Sequence, residues 1–260
     1  MDTIGVFDSG VGGLTVVAAL AQRLPRESIL YLGDTARLPY GSKSEDTVTR
    51  YTRKNIEFLE RRGVKAVVVA CNTASALALP NLELHLPTWG VIEPGAEKAA
   101  AATRGKIGVL ATEATVRSDA YPKALLRLRP DLEVLSRACP LFVPLVEEGW
   151  HDDEVTELVA RRYLAPLLGA KVDTLVLGCT HYPLLAPVLA RVAGPEIALV
   201  DSAQAIAESV AVGLKAAGLE TDRQSPPVHH FAVTDLNDSF RRIAARILGR
   251  EVDLEWVEVV

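Results

Sequence analysis

Two of the chain's three cysteines stand in matching surroundings. Val67-Val68-Val69-Ala70-Cys71-Asn72-Thr73 and Leu175-Val176-Leu177-Gly178-Cys179-Thr180-His181 each run an apolar strand into a cysteine, with a hydroxyl residue and a helix start just beyond. A cysteine at the end of a buried strand, facing a helix N-terminus, is where a fold can hold a thiolate, because the helix end favours the anion. Two such thiols in one cleft could act on opposite faces of one substrate. One would take a proton and the other would return one, inverting a carbon centre. An α-carbon proton is very weakly acidic, so its removal needs a close, desolvated base and donors that share the growing charge. A lone buried cysteine is as often a space-filler. The matched placement of two argues for chemistry.

Other residues could serve such a pair. His181, two residues after Cys179, is placed to be its proton partner. Asn72, Thr73 and Thr180 fall where helices begin; they can cap those helices, and the free N–H groups there can take a carboxylate. Asp8-Ser9-Gly10-Val11-Gly12-Gly13 is a Gly-rich turn between a strand and a helix. It is not a dinucleotide loop, since Thr15 stands at the third glycine position, no Walker lysine follows, and Asp8 would repel a phosphate. An acid there suits a cationic group or a thiol that must lose its proton. The loop Asp34-Thr35-Ala36-Arg37-Leu38-Pro39-Tyr40-Gly41 holds too many special residues for a plain connection. Glu147 and Glu148 read as a solvated helix end, and Cys139, beside Pro140, reads as packing. No closely spaced ligand pair supports a metal site, and no G-x-S-x-G is present.

These residues must be positioned by alternating strands and helices. Apolar runs predict strands at 3–7, 28–32, 65–70, 105–110, 132–136, 172–177, 196–200 and 228–233. Helical periodicity predicts helices near 12–23, 44–62, 73–84, 94–103, 115–127, 152–168, 183–191, 202–217 and 236–248. Strands apolar throughout, with helices between them, indicate parallel sheet covered on both faces. The pattern also repeats. Ile4-Gly5-Val6-Phe7-Asp8-Ser9 returns as Ile107-Gly108-Val109-Leu110-Ala111-Thr112, and the Cys71 segment returns as the Cys179 segment. The expectation is an α/β protein of two pseudo-symmetric, doubly wound parallel-sheet domains. The first spans 1–97 plus 206–260, with the tail packing back on it, and the second spans 98–205. Ligands bind such sheets beyond the carboxyl ends of the strands. Asp8, Cys71, Ala111 and Cys179 all lie at expected strand ends, so the active site is expected in the cleft between the domains.

Composition narrows the function. The chain has 260 residues, 49% of them apolar, ample for a core. Its net charge of −5 and 5% aromatic content argue against a nucleic-acid partner held by phosphate contacts or base stacking. No apolar run reaches the length of a membrane helix, and no signal peptide is expected ahead of Ile4-Gly5-Val6-Phe7. Three cysteines without a CxxC do not make a disulfide framework and fit a cytoplasmic, reducing compartment.

Five segments in order carry a resemblance: Gly5-Val6-Phe7-Asp8-Ser9-Gly10-Val11-Gly12-Gly13-Leu14-Thr15, Gly33-Asp34-Thr35-Ala36-Arg37-Leu38-Pro39-Tyr40-Gly41, Ala70-Cys71-Asn72-Thr73-Ala74-Ser75, Gly90-Val91-Ile92-Glu93-Pro94-Gly95 and Leu177-Gly178-Cys179-Thr180-His181-Tyr182-Pro183. Together with the closing Trp256-Val257-Glu258-Val259 they resemble the glutamate racemases of the aspartate/glutamate racemase superfamily over nearly the whole chain. Asn-Thr after the first cysteine and Thr-His-Tyr-Pro after the second set the chain apart from aspartate racemases. The resemblance implies cofactor-independent interconversion of L- and D-glutamate, supplying D-glutamate for peptidoglycan, with no metal. It implies that Cys71 deprotonates D-glutamate and Cys179 L-glutamate. Asp8 would assist Cys71, and His181 would assist Cys179, both at the substrate. Ser9, Tyr40, Gly41, Asn72, Thr73 and Thr180 would hold the substrate, with Thr115 and Glu147 close to it. A cytoplasmic homodimer is implied as well. The competing readings are a racemase for another acidic amino acid such as aspartate, and a two-lobed amino-acid-binding module without catalysis.

Overall fold

The computed structural model describes residues 2–260. In chain order its elements are β1 (Thr3–Asp8), α1 (Leu14–Arg23), β2 (Ser28–Gly33), α2 (Glu45–Arg61), β3 (Ala66–Val69), α3 (Asn72–Leu77), β4 (Thr88–Gly90), α4 (Ile92–Ala102), β5 (Lys106–Ala111), α5 (Glu113–Ser118), α6 (Ala120–Leu128), β6 (Glu133–Ala138), α7 (Phe142–Glu147), α8 (Glu154–Gly169), β7 (Thr174–Gly178), α9 (Ala186–Ala193), β8 (Ala198–Asp201), α10 (Ala203–Ala216), β9 (His229–Val233), α11 (Asp238–Leu248) and β10 (Leu254–Trp256). No helix among the described residues is long and apolar enough to cross a membrane.

The strands form two wholly parallel sheets, ordered β10-β9-β2-β1-β3-β4 and β6-β5-β7-β8. The core order is the same in both, since β2-β1-β3-β4 maps onto β6-β5-β7-β8. The repeated segments occupy equivalent central strands, as the repeat predicts. The tail adds β9 beside β2 and β10 beside β9, on the first sheet.

Four hydrophobic clusters cover the two faces of each sheet. On one face of the first sheet, α1 and α11 pack with Ile4, Val6 and Val68; on the other, α2 and α3 pack with Phe7, Val67 and Val69. The helices that close each repeat change partners. Ile92, Ala96 and Ala99 of α4 pack with Ile107 and Val109 of the second sheet. Ile206, Val210 and Leu214 of α10 pack with Ile4 and Val6 of the first. This exchange ties the two sheets together behind the cleft.

Several local expectations differ from the structure for identifiable reasons. Strands β4 and β10 have three residues each and show no apolar run. The helix expected over 73–84 ends at Leu77 and gives way to a 3-10 turn containing Pro80, whose missing N–H cannot continue an α-helix. The helix expected over 115–127 is two helices, broken where Asp119 takes a left-handed φ of 59°. Between Pro140 and Gly149, where helical periodicity assigns no helix and only Glu147 and Glu148 read as a helix end, α7 forms and accommodates Pro144 in its first turn.

Candidate active site

Both cysteines open into one cavity of about 210 Å³ between the sheets. From the first sheet come Ser9 and Gly10 after β1, Tyr40 and Gly41 of the loop after β2, and Cys71, Asn72 and Thr73 after β3. From the second come Thr112 and Glu113 after β5, Glu147 at the end of α7, and Cys179, Thr180 and His181 after β7. Leu38, Val143 and Pro144 give the cavity an apolar wall. None of the lining residues is Lys or Arg, so apart from His181 the donors for an anionic ligand are hydroxyls, amides and backbone N–H groups.

The two thiols have different surroundings. Cys71 is the N-cap of α3: its Sγ accepts from the Ala74 N–H at 3.5 Å and donates to Ser9 Oγ at 3.4 Å. The cap is therefore the cysteine itself, with Asn72 and Thr73 in the first turn. Burial first, then the Asp8 carboxylate, push the Cys71 thiol up to about 12. Cys179 has no such cap, because Tyr182–Leu185 forms a 3-10 turn with Pro183 before α9 begins. Its Sγ lies 3.9 Å from His181 Nδ1. On the far side of the ring, His181 Nε2 lies 3.3 Å from Glu147 Oε1, close enough for an ion pair but not aligned as a hydrogen bond. Burial works against the imidazolium, but the Cys179 sulfur and the Glu147 carboxylate outweigh it and raise His181 to about 10.

Asp8 is fully buried and lies behind the cavity wall. Its Oδ2 accepts from the Gly10 and Gly13 N–H groups at 3.0 Å each, and its Oδ1 accepts from Thr180 Oγ1 at 3.4 Å. Burial raises its carboxyl against the pull of His181 and those two N–H groups. Asp8 thus acts on Cys71 through its field, while one of its hydrogen bonds reaches Thr180, which follows Cys179.

The Gly-rich turn earns its glycines by close approach. A Cβ on Gly12 would strike Thr180 Oγ1 and lie 2.7 Å from His181 Nδ1. A Cβ on Gly41 would lie 2.6 Å from Thr112 Cβ. Both contacts cross from one sheet's loops to the other's. Gly12→Ala is therefore expected to cost about 1–3 kcal/mol of stability and to shift His181 off Cys179. A thermal melt lowered together with lost activity would agree; an unchanged melt and rate would contradict the close approach.

Of the residues singled out in the sequence, Ser9, Tyr40, Gly41, Cys71, Asn72, Thr73, Glu147, Cys179, Thr180 and His181 line the cavity. Tyr40 offers it no hydroxyl, because that group donates to Asp34 Oδ2 and accepts from Asn55 Nδ2. Asp34 also accepts from Thr234 Oγ1 at 3.0 Å, so this loop is held by the residue just after β9 of the tail. Thr115 sits behind the wall, 3.0 Å from Thr112 Oγ1 and 3.3 Å from Thr73 Oγ1. Thr112 itself faces the cavity and was not singled out. The signal for it was present, since the repeat aligns Thr112 with Ser9. Glu147 is not simply solvated: it lines the cavity and pairs with His181. Cys139 is buried in the core of the second sheet, as expected.

Residues 5–210 match the family described as Asp/Glu/Hydantoin racemase. The chain belongs to this family, and within it to the glutamate racemases. Glutamate racemase of Geobacter metallireducens is 55% identical over 249 residues, covering 95% of this chain and 92% of that protein. Among solved structures, a glutamate racemase isoform from Bacillus anthracis aligns with a TM-score of 0.95 at 41% identity, covering 99% of this chain and 98% of that one. Glutamate racemase from Francisella tularensis in complex with D-glutamate aligns with a TM-score of 0.93 at 36% identity, with the same coverage.

Proposed function

We propose that this chain interconverts L- and D-glutamate by a two-base mechanism in which Cys71 takes the α-proton of D-glutamate and Cys179 that of L-glutamate. The observation that carries the reading is the opening of both thiols, from opposite sheets, into one small cavity. When one sulfur is a thiolate it removes the α-proton. The carbanion's electron pair then takes a proton from the opposite thiol, which becomes the thiolate. The enzyme finishes in the protonation state needed for the reverse reaction. Asp8 raises the proton affinity of Cys71, and the His181–Glu147 pair supplies a cation beside Cys179. Ser9, Asn72, Thr73 and Thr180, with the backbone at Tyr40 and Gly41, hold the two carboxylates. Thr115 supports Thr73 from behind.

Neutral donors suit this task. They share charge with the carboxylate as it becomes enolate-like, and they leave the apolar wall to keep water from the carbanion. The reading extends to D-glutamate supply for peptidoglycan, a cytoplasmic location, a homodimer, and a division into units 1–97 plus 206–260 and 98–205, with the crossovers inside α4 and α10. The complex of the Francisella tularensis relative with D-glutamate supports glutamate over shorter acids.

In heavy water, either glutamate enantiomer is expected to gain deuterium at the α-carbon without added cofactor, with optical rotation decaying to zero. A panel of amino acids analysed by chiral chromatography should single out glutamate. Saturable glutamate binding with unchanged rotation would instead mark a binding module, and preferred turnover of aspartate would overturn the substrate.

A further inference from the structure

We propose that Tyr121 is a positioning residue that sets the orientation of the Asn72 side-chain amide toward the substrate. Asn72 is 2% exposed and lines the cavity. Its Oδ1 accepts a hydrogen bond of 2.8 Å from the Tyr121 hydroxyl. Its Nδ2 is buried and has no hydrogen-bond partner in the protein. A buried amide NH₂ left unpaired is destabilising, so such a group in a cavity wall is a donor awaiting an acceptor. Glutamate brings carboxylates as acceptors.

An asparagine amide has an oxygen end and a nitrogen end of nearly the same shape. Something must decide which end meets the ligand. The Tyr121 hydroxyl does so by holding the oxygen, which leaves the two N–H donors for the ligand. Tyr121 is itself immobile. It is 1% exposed on α6, its ring lies in the cluster formed by α4 and the second sheet, and its oxygen would be 3.1 Å from a Cβ placed on Gly95. Burial also raises its phenol, so the proton stays on the oxygen through the working pH range. The bond joins a residue after a strand of the first sheet to a helix over the second, so it also holds Asn72 in register with the cleft. With the hydroxyl removed, the amide is free to turn and present its oxygen to a carboxylate, which repels it.

The inference rests on Asn72 as a substrate ligand, and the experiment separates the two. Steady-state constants in both directions and thermal melts are to be measured for the wild type, Tyr121→Phe, Asn72→Ala and the double variant. Asn72→Ala alone tests the substrate role: an unchanged KM there would sink that reading, whatever Tyr121 does. For Tyr121→Phe, KM is expected to rise about five- to tenfold for both enantiomers, with kcat within about twofold, because the lost contact serves the bound ground state and transition state alike. In the Asn72→Ala background the same change should move KM by less than about twofold. A lowered melt with unchanged KM would reduce Tyr121 to a packing residue and overturn the proposal. So would an equal KM effect with and without Asn72. Should Tyr121→Phe fail to fold, the unaltered enzyme gives the answer by NMR. The Asn72 NH₂ protons should show contacts to bound glutamate and none to the Tyr121 ring; the reverse pattern overturns the assignment.

Discussion

Replacing Cys71 or Cys179 by alanine is expected to lower racemisation by at least about a thousandfold. Each thiol is the only group of its kind on its side of the cavity, and the surrounding hydroxyls are far weaker bases. Water admitted to the gap would be weaker still and would lack orientation. The two losses should nonetheless leave different residues of activity. Without Cys179, Cys71 still faces the α-proton of D-glutamate, so slow exchange with heavy water should be confined to that enantiomer. Without Cys71, exchange should be confined to L-glutamate. Proton NMR of each enantiomer in heavy water reads this directly. Near wild-type racemisation in both variants would remove the two-base mechanism. Exchange on the opposite enantiomers would invert the assignment while leaving the mechanism standing.

His181→Asn is expected to lower kcat/KM by about a hundredfold, since it removes the cation beside Cys179. L- and D-glutamate have equal free energies, so kcat/KM must fall by the same factor in both directions. Any asymmetry belongs to the α-deuterium isotope effect, which should grow for L-glutamate, where Cys179 is the base. A loss of less than about threefold would place the activating charge elsewhere. The same residue predicts a stability signature. Its folded pKa of about 10 lies above the ordinary value of 6.5. Between these values the folded protein binds more protons at His181 than the unfolded chain does. This contribution to stability is complete below about 6.5 and is lost as pH rises through 10. The wild-type melting temperature should therefore decline relative to His181→Asn across that window. Parallel melting curves would show that the imidazolium is not held in this way.

The cation beside Cys179 and the acid behind Cys71 make the pair unequal. A thiol pushed up to about 12 is protonated in the empty enzyme at neutral pH. In that state Cys71 is a proton donor, which is the role it needs when L-glutamate is the substrate. The reverse reaction needs Cys71 as the base, and that state is reached at the end of each turnover of L-glutamate, when Cys71 has given up its proton. The asymmetry of the two sites is thus compatible with a reaction that runs both ways.

Much of this was readable from sequence patterns. Val67–Val69 and Leu175–Leu177 are too apolar for half-exposed strands, so parallel sheet buried on both faces follows from composition alone. The repeat of these segments places Cys71 and Cys179 at equivalent strand ends, and the equal strand order of the two sheets agrees. The short helix α7 escaped because a six-residue element with a proline inside it offers no period to detect. With it escaped the pairing of Glu147 with His181, since that pairing exists only because α7 ends at the cavity rim.

What the sequence determined by itself was the chemistry available and the class of scaffold: two thiols after buried strands, a histidine beside one, an acid at a strand end, and motifs that mark the family. These are local patterns, and strand burial or a residue two places along is set by neighbours in the chain. What the tertiary structure decided was which groups meet. Thr180 reaches Asp8 across 172 positions, Tyr121 reaches Asn72 across 49, and Gly41 leaves room for Thr112. Those meetings depend on how two sheets are turned toward each other, which the exchanged helices α4 and α10 fix through packing between distant residues. A local pattern carries no record of that angle, so the helpers of each thiol became visible only when the cleft was closed.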